Sequence, residues 1–432
     1  MSTRAVDNLI LIAGSVKAPV EARSPFLRAL IVVSCLLSAV CITMPGHQAG
    51  LGGGLDAVAA AKLVTRLLAF AVLSFVILRT HTQPRAAKVL LRSTPLVLFS
   101  LWTLASCLWS PIKGVSIGHA AETLMLAMLA IGVGIVFKSE DDVKDLLLGI
   151  VLVITVLMYA MVAANWQLIR SGERPAYYIQ PNNLAGIAAC GLLTLLMSRF
   201  FWDWTWTRKL MWPAGLICGF VLLVARSRSC LIVTALIAIP LLWAMQKRRV
   251  VILMIAAAGI IAALLPYSTA VSNMPQAVTT YVMRGQTSQD MYTVSGRTEV
   301  WDIAVKSFFG APLFGHGYYS MTDTGTMYVW GAERWQTAHN TYLHVLTGTG
   351  LIGFFLMAWA LLHMLHPMIA FSRQEGPRRK MAIFVLLLAV WYLALGCFEL
   401  SFAGPVDPEV VLFFCTLGIA AGLVAHANTH PA

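Results

Sequence analysis

The sequence predicts an all-α protein that crosses a membrane many times, and three observations carry this prediction. Of the 432 residues, 59% are hydrophobic and only 12% are charged, whereas soluble domains carry about 25% charged residues. Apolar runs of roughly 16 to 25 residues recur along the chain, which is long enough to cross about 30 Å of hydrocarbon. Breaks rich in charge, proline or glycine separate them. This composition excludes a water-soluble enzyme, a disordered chain, a coiled coil and a nucleic-acid-binding domain, so no nucleic-acid partner is expected.

Twelve apolar runs meet this length requirement, and each is predicted to be a transmembrane helix. They cover residues 26–44, 62–78, 94–110, 119–137, 145–164, 183–198, 210–225, 230–246, 250–266, 341–366, 381–399 and 409–427. The chain therefore divides into a tail (1–25), nine helices (26–266), a long loop (267–340), three further helices (341–427) and a second tail (428–432).

The net charge of +12 fixes the expected orientation, because cytoplasmic loops of membrane proteins accumulate Lys and Arg. With the N-terminus inside, 20 of the 31 basic residues fall in cytoplasmic segments and 11 fall outside. Both tails are then cytoplasmic, and the long loop 267–340 faces the other side. The eight cysteines lie in or beside apolar runs, without disulfide or zinc spacing.

The loop 267–340 is too long to be a simple connector. From Ser295 onwards its apolar residues recur at helical spacing, and Gly310 and Pro312 then end the pattern. We expect a short amphipathic helix at the outer membrane surface, which suits either a lid over a lipid substrate or a plain surface anchor.

Three arginines outside the cytoplasm suit the binding of phosphate oxygens. Arg226 and Arg228 sit between two spans with almost no loop, and charge so close to hydrocarbon is costly and usually functional. Arg297 stands at the start of the loop helix, where free backbone N–H groups also attract anions. The alternatives are snorkelling or pairing with a loop carboxylate for the first two, and a surface salt bridge to Glu299 or Asp302 for Arg297.

His339 is the candidate base, since an imidazole that titrates near neutrality accepts a proton from a hydroxyl group. It lies where the long loop meets the tenth span, beside Asn340, which could hold the imidazole tautomer or a substrate hydroxyl. The alternative for His339 is a purely structural role. The carboxylates outside the cytoplasm show no metal-ligand spacing, so neither a metal nor another cofactor is expected.

Several motifs together resemble the bacterial O-antigen ligase and polysaccharide polymerase superfamily. They are Ser227-Arg228-Ser229, Ser295-Gly296-Arg297-Thr298-Glu299-Val300-Trp301, Ala311-Pro312-Leu313-Phe314-Gly315-His316-Gly317, His339-Asn340-Thr341-Tyr342-Leu343 with Gly348, Gly350 and Gly353, and Pro181-Asn182-Asn183-Leu184-Ala185. The resemblance implies a metal-independent, inverting glycosyltransferase of the integral-membrane C type (GT-C) in the bacterial inner membrane. Its donor would be an undecaprenyl-diphosphate-linked glycan at the periplasmic face.

The resemblance also implies roles for individual residues. Arg228 and Arg297 match the arginines that hold the diphosphate, and His339 matches the catalytic histidine. Further substrate-binding residues are expected to be Arg226, Asn340, Asn183 and Arg334. The motif leaves open which member of the Arg226 and Arg228 pair meets the phosphate.

Three functions remain as alternatives at this point. Ligation of O-antigen to lipid A-core is favoured over polymerisation of O-antigen or exopolysaccharide, because Gln180-Pro181-Asn182-Asn183 looks more like the ligases. A secondary transporter or flippase would place ionisable residues in the middle of its spans. Here the span centres are nearly free of charge, and the candidate residues gather on one face of the membrane.

Overall fold

A computed structural model describes residues 25–39, 57–244, 297–320, 338–404 and 406–427. These ranges are predominantly helical and contain no strand. The thirteen helices are α1 Pro25–Ser38, α2 Ala57–Thr80, α3 Pro84–Ser106, α4 Lys113–Val136, α5 Glu140–Ala164, α6 Trp166–Arg170, α7 Pro181–Phe201, α8 Thr205–Val224, α9 Arg228–Ala244, α10 Arg297–Gly310, α11 Thr341–Arg373, α12 Pro377–Leu395 and α13 Pro408–Ala427.

Eight of these helices, namely α2 to α5, α7, α8, α11 and α13, are long and apolar enough to cross a membrane, and α1 and α9 are shorter apolar helices. The prediction of an all-helical, polytopic membrane protein is therefore confirmed for the described residues. Eleven of the predicted spans fall on helices, whereas the span at 250–266 lies outside the described residues. The total of twelve stays a prediction.

Several helix boundaries differ from those expected, and two of the differences bear on the argument below. The helix predicted at 94–110 already begins at Pro84, because Arg85 is buried and donates to the carbonyl groups of Gly134 and Phe137 instead of lying in a loop. The helix predicted at 381–399 ends at Leu395. Glu399 consequently lies in a connection and not in a span.

The centre of the bundle is α13, which packs against α3, α4 and α12 and is buried along most of its length. Its contact with α4 is close because glycines face one another. A Cβ atom added at Gly134 would lie 2.9 Å from the carbonyl oxygen of Gly418. Small residues allow membrane helices to approach in this way.

The described connections gather at two ends of the bundle. Residues 107–112, 165–180, 225–227, 396–404 and 406–407 lie at what we call the Glu399 end, and residues 81–83, 137–139, 202–204 and 374–376 lie at the Arg378 end. The predicted orientation puts the Glu399 end outside the cytoplasm.

The helix expected to end at Gly310 is present as α10. Val300 and Ala304 are buried on it, and the indole nitrogen of Trp301 donates to the carbonyl oxygen of Ala338 at 2.8 Å. Phe309 is 71% exposed at the other side of the helix. The helix therefore buries one side and exposes the other. Its expected amphipathic character and its position at a membrane surface stay predictions.

The segment that follows α10 is bound to a break in α11. Gly350 has a φ of 67° and interrupts the helix. The backbone amides of His316 and Gly317 donate to the carbonyl oxygens of Thr347 and Gly348 at 2.9 and 2.8 Å, and Leu351 donates to Pro312 at 2.8 Å. These bonds fix α10 relative to the first turns of α11. His339 and Asn340 directly precede this helix.

Candidate functional site

Glu399 joins two of the predicted site residues. One carboxylate oxygen, Oε1, lies 2.6 Å from Nη2 of Arg297, and the other, Oε2, lies 2.9 Å from Nδ1 of His339. A second guanidinium nitrogen of Arg297 donates to the carbonyl oxygen of Phe398. Glu399 is 8% exposed, so the three side chains form a charge cluster that is largely withdrawn from solvent.

The Glu399 carboxylate is held in its ionised form. Burial by itself raises its pKa, but the hydrogen bond from His339 and the charge of Arg297 together outweigh burial, so the pKa lies below its usual value. Ser229 contributes a longer contact, with its hydroxyl group 3.5 Å from Oε1. The carboxylate is thus charged at neutral pH and fixed between its partners.

This arrangement sets the direction of the His339 ring. Because Nδ1 faces a carboxylate, it carries the ring proton in the neutral imidazole, and Nε2 then holds the lone pair that accepts a proton. His339 has a left-handed backbone, with φ of 44°, and 22% of its side chain is exposed. The geometry suits a general base whose tautomer is fixed by Glu399.

Asn340 has a structural role that was not expected. Its Oδ1 accepts from the backbone amides of Tyr342 and Leu343, each at 3.0 Å, and its Nδ2 donates to the carbonyl oxygen of Cys397 at 3.1 Å. Asn340 is therefore the N-cap of α11 and ties that helix to the connection that carries Glu399. Glu399, and not Asn340, occupies Nδ1 of His339. The other expectation, that Asn340 binds a substrate hydroxyl, stays a prediction.

Thr341 fixes the same connection from the first residue of α11. Its hydroxyl group donates to the carbonyl oxygen of Glu399 at 2.9 Å and accepts from the amide of Ser401 at 3.1 Å. Its own amide donates to Gly396 at 2.8 Å. The backbone on both sides of Glu399 is thus held by the helix that follows His339.

Arg228 begins α9 and lies within electrostatic range of Arg297. Ser229, the next residue of α9, reaches Glu399, which is the carboxylate that binds Arg297. Guanidinium groups at this end of the bundle suit the binding of an anion. Glu399 thus connects Arg297 and His339 directly, and Arg228 lies at the same end of the bundle. The predicted roles of these three residues in binding and catalysis stay predictions.

Arg226 points to a different neighbour than Arg228 does. Its backbone is left-handed, with φ of 52°, and Nη2 donates to the carbonyl oxygen of Gly172 at 2.9 Å. In the opposite direction, Arg174 donates to the carbonyl oxygen of Ala225 at 2.8 Å and to Oδ1 of Asn182 at 2.9 Å. These reciprocal contacts fasten the turn before Arg228 to the 165–180 connection. Arg174 was not predicted to be a site residue.

The two remaining predicted substrate ligands are Asn183, which contacts a carboxyl group, and Arg334. Nδ2 of Asn183 donates to Oδ2 of Asp407 at 2.9 Å. Burial raises the pKa of Asp407 to about 7, although this hydrogen bond and the charge of Lys62 oppose the shift. Asn183 thus has a buried carboxyl partner, and its role as a substrate ligand stays a prediction. Arg334 lies outside the described residues.

The part of the chain that the structure describes contains no group of three or more His, Cys, Asp or Glu side chains arranged to hold a metal ion. The chemical groups of the cluster are instead an imidazole, a carboxylate and guanidinium groups. They suit proton transfer from a hydroxyl group and the binding of an anion.

Fold and site together define a polytopic, helical membrane protein with a histidine, a carboxylate and arginines gathered at one end of its helices. Residues 213–358 match the family model described as O-antigen ligase, which is about a third of the chain. This match confirms the predicted resemblance to the O-antigen ligase-like superfamily. No curated protein matches the chain.

The matched region contains Arg226, Arg228, Arg297 and His339, whereas Glu399 lies beyond its end. Glu399 is the site residue that the sequence analysis missed. The residue was counted as the end of an apolar span. Its charge was the available signal, because an ionisable residue at the edge of such a span usually has a functional partner.

Proposed function

We propose that this protein transfers a glycan from an undecaprenyl-diphosphate carrier to the hydroxyl group of an acceptor. The observation that carries the proposal is the pairing of His339 with the ionised carboxylate of Glu399, beside Arg297. The family match supports a glycan-transferring enzyme that acts on O-antigen. The donor, the acceptor and the steps below are our proposal.

In the proposed reaction His339 is the general base. Nε2 takes the proton of the acceptor hydroxyl as its oxygen attacks the anomeric carbon, and Glu399 stabilises the imidazolium that forms, through Nδ1. The bond from the anomeric carbon to the diphosphate oxygen breaks as the new glycosidic bond forms. The proton then passes from His339 to water, and the attack from the opposite face inverts the anomeric configuration.

Arg228 and Arg297 are proposed to stabilise the charge that develops on the departing diphosphate. Guanidinium groups bind phosphate oxygens with two parallel hydrogen bonds. Arg297 shares the Glu399 carboxylate with the base, and Arg228 lies within electrostatic range of Arg297. Arg226 and Arg174 are assigned a positioning role, because their contacts with Gly172 and Ala225 hold the turn that presents Arg228. This assignment favours Arg228 as the member of the pair that meets the phosphate.

The cellular setting follows from the same proposal. The protein is placed in the bacterial inner membrane as a GT-C type enzyme with the Glu399 end at the periplasmic face. The energy for transfer is stored in the glycosyl-diphosphate bond, so the proposed reaction consumes no ATP and uses no metal. Lipid A-core is the favoured acceptor, in lipopolysaccharide biosynthesis, and a growing O-antigen or exopolysaccharide chain is the second candidate.

A secondary transporter is the less favoured function. It requires ionisable groups that bind ions or protons across the middle of the membrane. The base and the arginines described above gather at the Glu399 end instead. This one-sided arrangement favours chemistry at a membrane surface.

An in-vitro transfer assay tests the proposal and separates the acceptors. Purified protein is given one defined lipid-linked glycan and either lipid A-core or a lipid-linked single repeat unit. Product on lipid A-core supports ligation, and longer lipid-linked chains support polymerisation. The His339→Ala variant should lose transfer, whereas His81→Ala, which removes an exposed histidine at the Arg378 end, should keep it. Full activity of folded His339→Ala protein contradicts the mechanism.

A further inference from the structure

A cavity opens at the Arg378 end of the bundle, on the opposite side from the histidine cluster. It has a volume of about 360 Å³. Its walls come from the α4–α5 connection, the start of α12 and the end of α13. Nothing in the proposed transfer reaction uses this cavity.

The polar part of the lining is dominated by basic side chains. Arg85, Lys138, Arg378 and His426 line the cavity, and Glu140 is its acidic residue. Arg85 is 8% exposed, and its guanidinium group is fixed by the carbonyl oxygens of Gly134 and Phe137 at 3.1 and 2.9 Å. Because these two hydrogen bonds hold the Arg85 guanidinium group in place, its positive charge stays at the cavity wall.

The start of α12 adds to this potential. The helix begins at Pro377, its first turn contains no acidic residue, and Arg378 follows directly. The first backbone N–H groups of a helix have no partner within the helix and carry a partial positive charge. Basic residues are unfavourable at that position unless an anion is present.

The rest of the lining is apolar. Phe137, Val143, Met381, Ile419 and Leu423 contribute to the walls. The cavity therefore combines a basic region with an apolar one at the level where transmembrane helices end. A phosphate group attached to hydrocarbon has this same combination, and basic pockets between transmembrane helices bind lipid head groups.

We propose that this cavity binds the phosphate head group of an anionic phospholipid from the leaflet at the Arg378 end. Arg378 and Lys138 contact the phosphate, Arg85 supplies fixed positive charge behind it, and the apolar walls hold the upper part of the acyl chains. This site is separate from the proposed transfer reaction and does not depend on it.

The neighbours of Arg378 distinguish such a site from charge that serves only to orient the chain. Arg379 and Lys380 belong to the same basic run but are exposed and do not line the cavity. Charge that sets orientation acts through its number and its side of the membrane. A lipid site instead requires the basic residues that line the cavity. Lys138 and Arg378 line it, whereas Arg379 and Lys380 do not, so substitutions of these two pairs remove the same charge and can be compared directly.

The experiment measures bound lipid on the full-length protein by native mass spectrometry after purification in detergent with equal phosphatidylglycerol and phosphatidylcholine. The wild type should retain phosphatidylglycerol preferentially. The double variant Lys138→Gln/Arg378→Gln should lose this preference by about fivefold for each charge removed. The double variant Arg379→Gln/Lys380→Gln removes the same charge and should retain it.

Equal loss in both double variants, or no preference in the wild type, overturns the proposal. Inorganic phosphate at millimolar concentration is the second arm. Continued retention of phosphatidylglycerol supports a lipid site, whereas its full displacement shows a free-phosphate site and overturns the assignment. If Lys138→Gln/Arg378→Gln protein does not fold, the single variants Arg378→Gln and Arg379→Gln give the same comparison.

Discussion

Nδ1 of His339 lies 2.9 Å from Oε2 of Glu399, although 60 residues separate them along the chain. The same carboxylate binds Arg297 through its other oxygen. One buried charge therefore orients the imidazole and holds the guanidinium group that is proposed to meet the diphosphate. Any change at Glu399 should affect both partners at once.

Replacing Glu399 with Gln should lower kcat by about 10²- to 10⁴-fold, the usual contribution of general acid–base catalysis. The amide has nearly the shape of the carboxylate but cannot stabilise an imidazolium. The measurement is the initial rate of glycan transfer at saturating donor. Glu173→Gln serves as the control, because Glu173 is an exposed carboxylate at the same end. Equal rates for Glu399→Gln and the wild type would remove Glu399 from the mechanism.

Arg297→Ala should lower kcat by about 10²- to 10³-fold, which is the usual cost of losing a preorganised donor to a developing anion. Arg297→Lys should restore only part of the rate, since an ammonium group cannot reproduce the paired contacts with Glu399 and Phe398. Lys306→Gln on the same helix alters only an exposed ion pair with Asp302 and should leave the rate unchanged. Full recovery by lysine would show that charge alone matters at this position.

Asn340→Ala should destabilise the protein by about 1 kcal/mol, the typical cost of losing a helix N-cap. Thermal melting in detergent measures this, and Asn340→Asp should recover much of the loss because its carboxylate accepts the same two amides. The sequence-based expectation of substrate binding makes a different prediction. In that case the Asn340→Ala protein would melt like the wild type while its KM for the acceptor rises.

Asp407 should make stability fall as pH rises. Burial raises its pKa to about 7, whereas an aspartate in an unfolded chain titrates near 4. Between these values the folded protein holds a proton that the unfolded chain has released, so stability decreases across this range and levels off above it. Asp407→Asn should flatten the profile and raise the melting temperature at pH 8. Asp302→Asn, at a carboxylate that is 60% exposed, should leave the profile as it is.

Gly350→Ala should prevent correct packing of α11. A Cβ atom there would lie 2.2 Å from the carbonyl oxygen of Leu313, and φ is 67°, where L side chains are strained. The expected result is a low yield of monodisperse protein in size-exclusion chromatography. Gly219→Ala is the matched control, since no atom lies within 4 Å of its added Cβ. Normal yield of both variants would mean that the break in α11 tolerates a side chain.

Apolar run length predicted most of the helices, because crossing hydrocarbon requires continuous burial of backbone hydrogen bonds. Run length failed where charge lies inside a helix. Arg85 belongs to α3 because carbonyl groups of another helix bind it, and such a partner is invisible to a count of apolar residues.

The sequence likewise predicted only part of the candidate site. Residue type and motif order singled out His339, Arg228 and Arg297, but not the carboxylate that joins two of them. Glu399 is a partner through tertiary structure alone, since it is 102 residues from Arg297 in the chain. The role of Asn340 was missed for a local reason. Asn is a favoured N-cap, and its position directly before Thr341 already indicated that role.

The position of Glu399 beyond residue 358, where the family match ends, has a consequence for how the protein is made. During synthesis Arg228, Arg297 and His339 are translated before the residue that neutralises Arg297. Until then, a positive charge that the finished protein holds 13% exposed lacks its counter-ion. The connection between α12 and α13 is therefore the last part of the site to be synthesised. A chain cut before residue 399 would contain Arg297 and His339 without the Glu399 carboxylate that joins them.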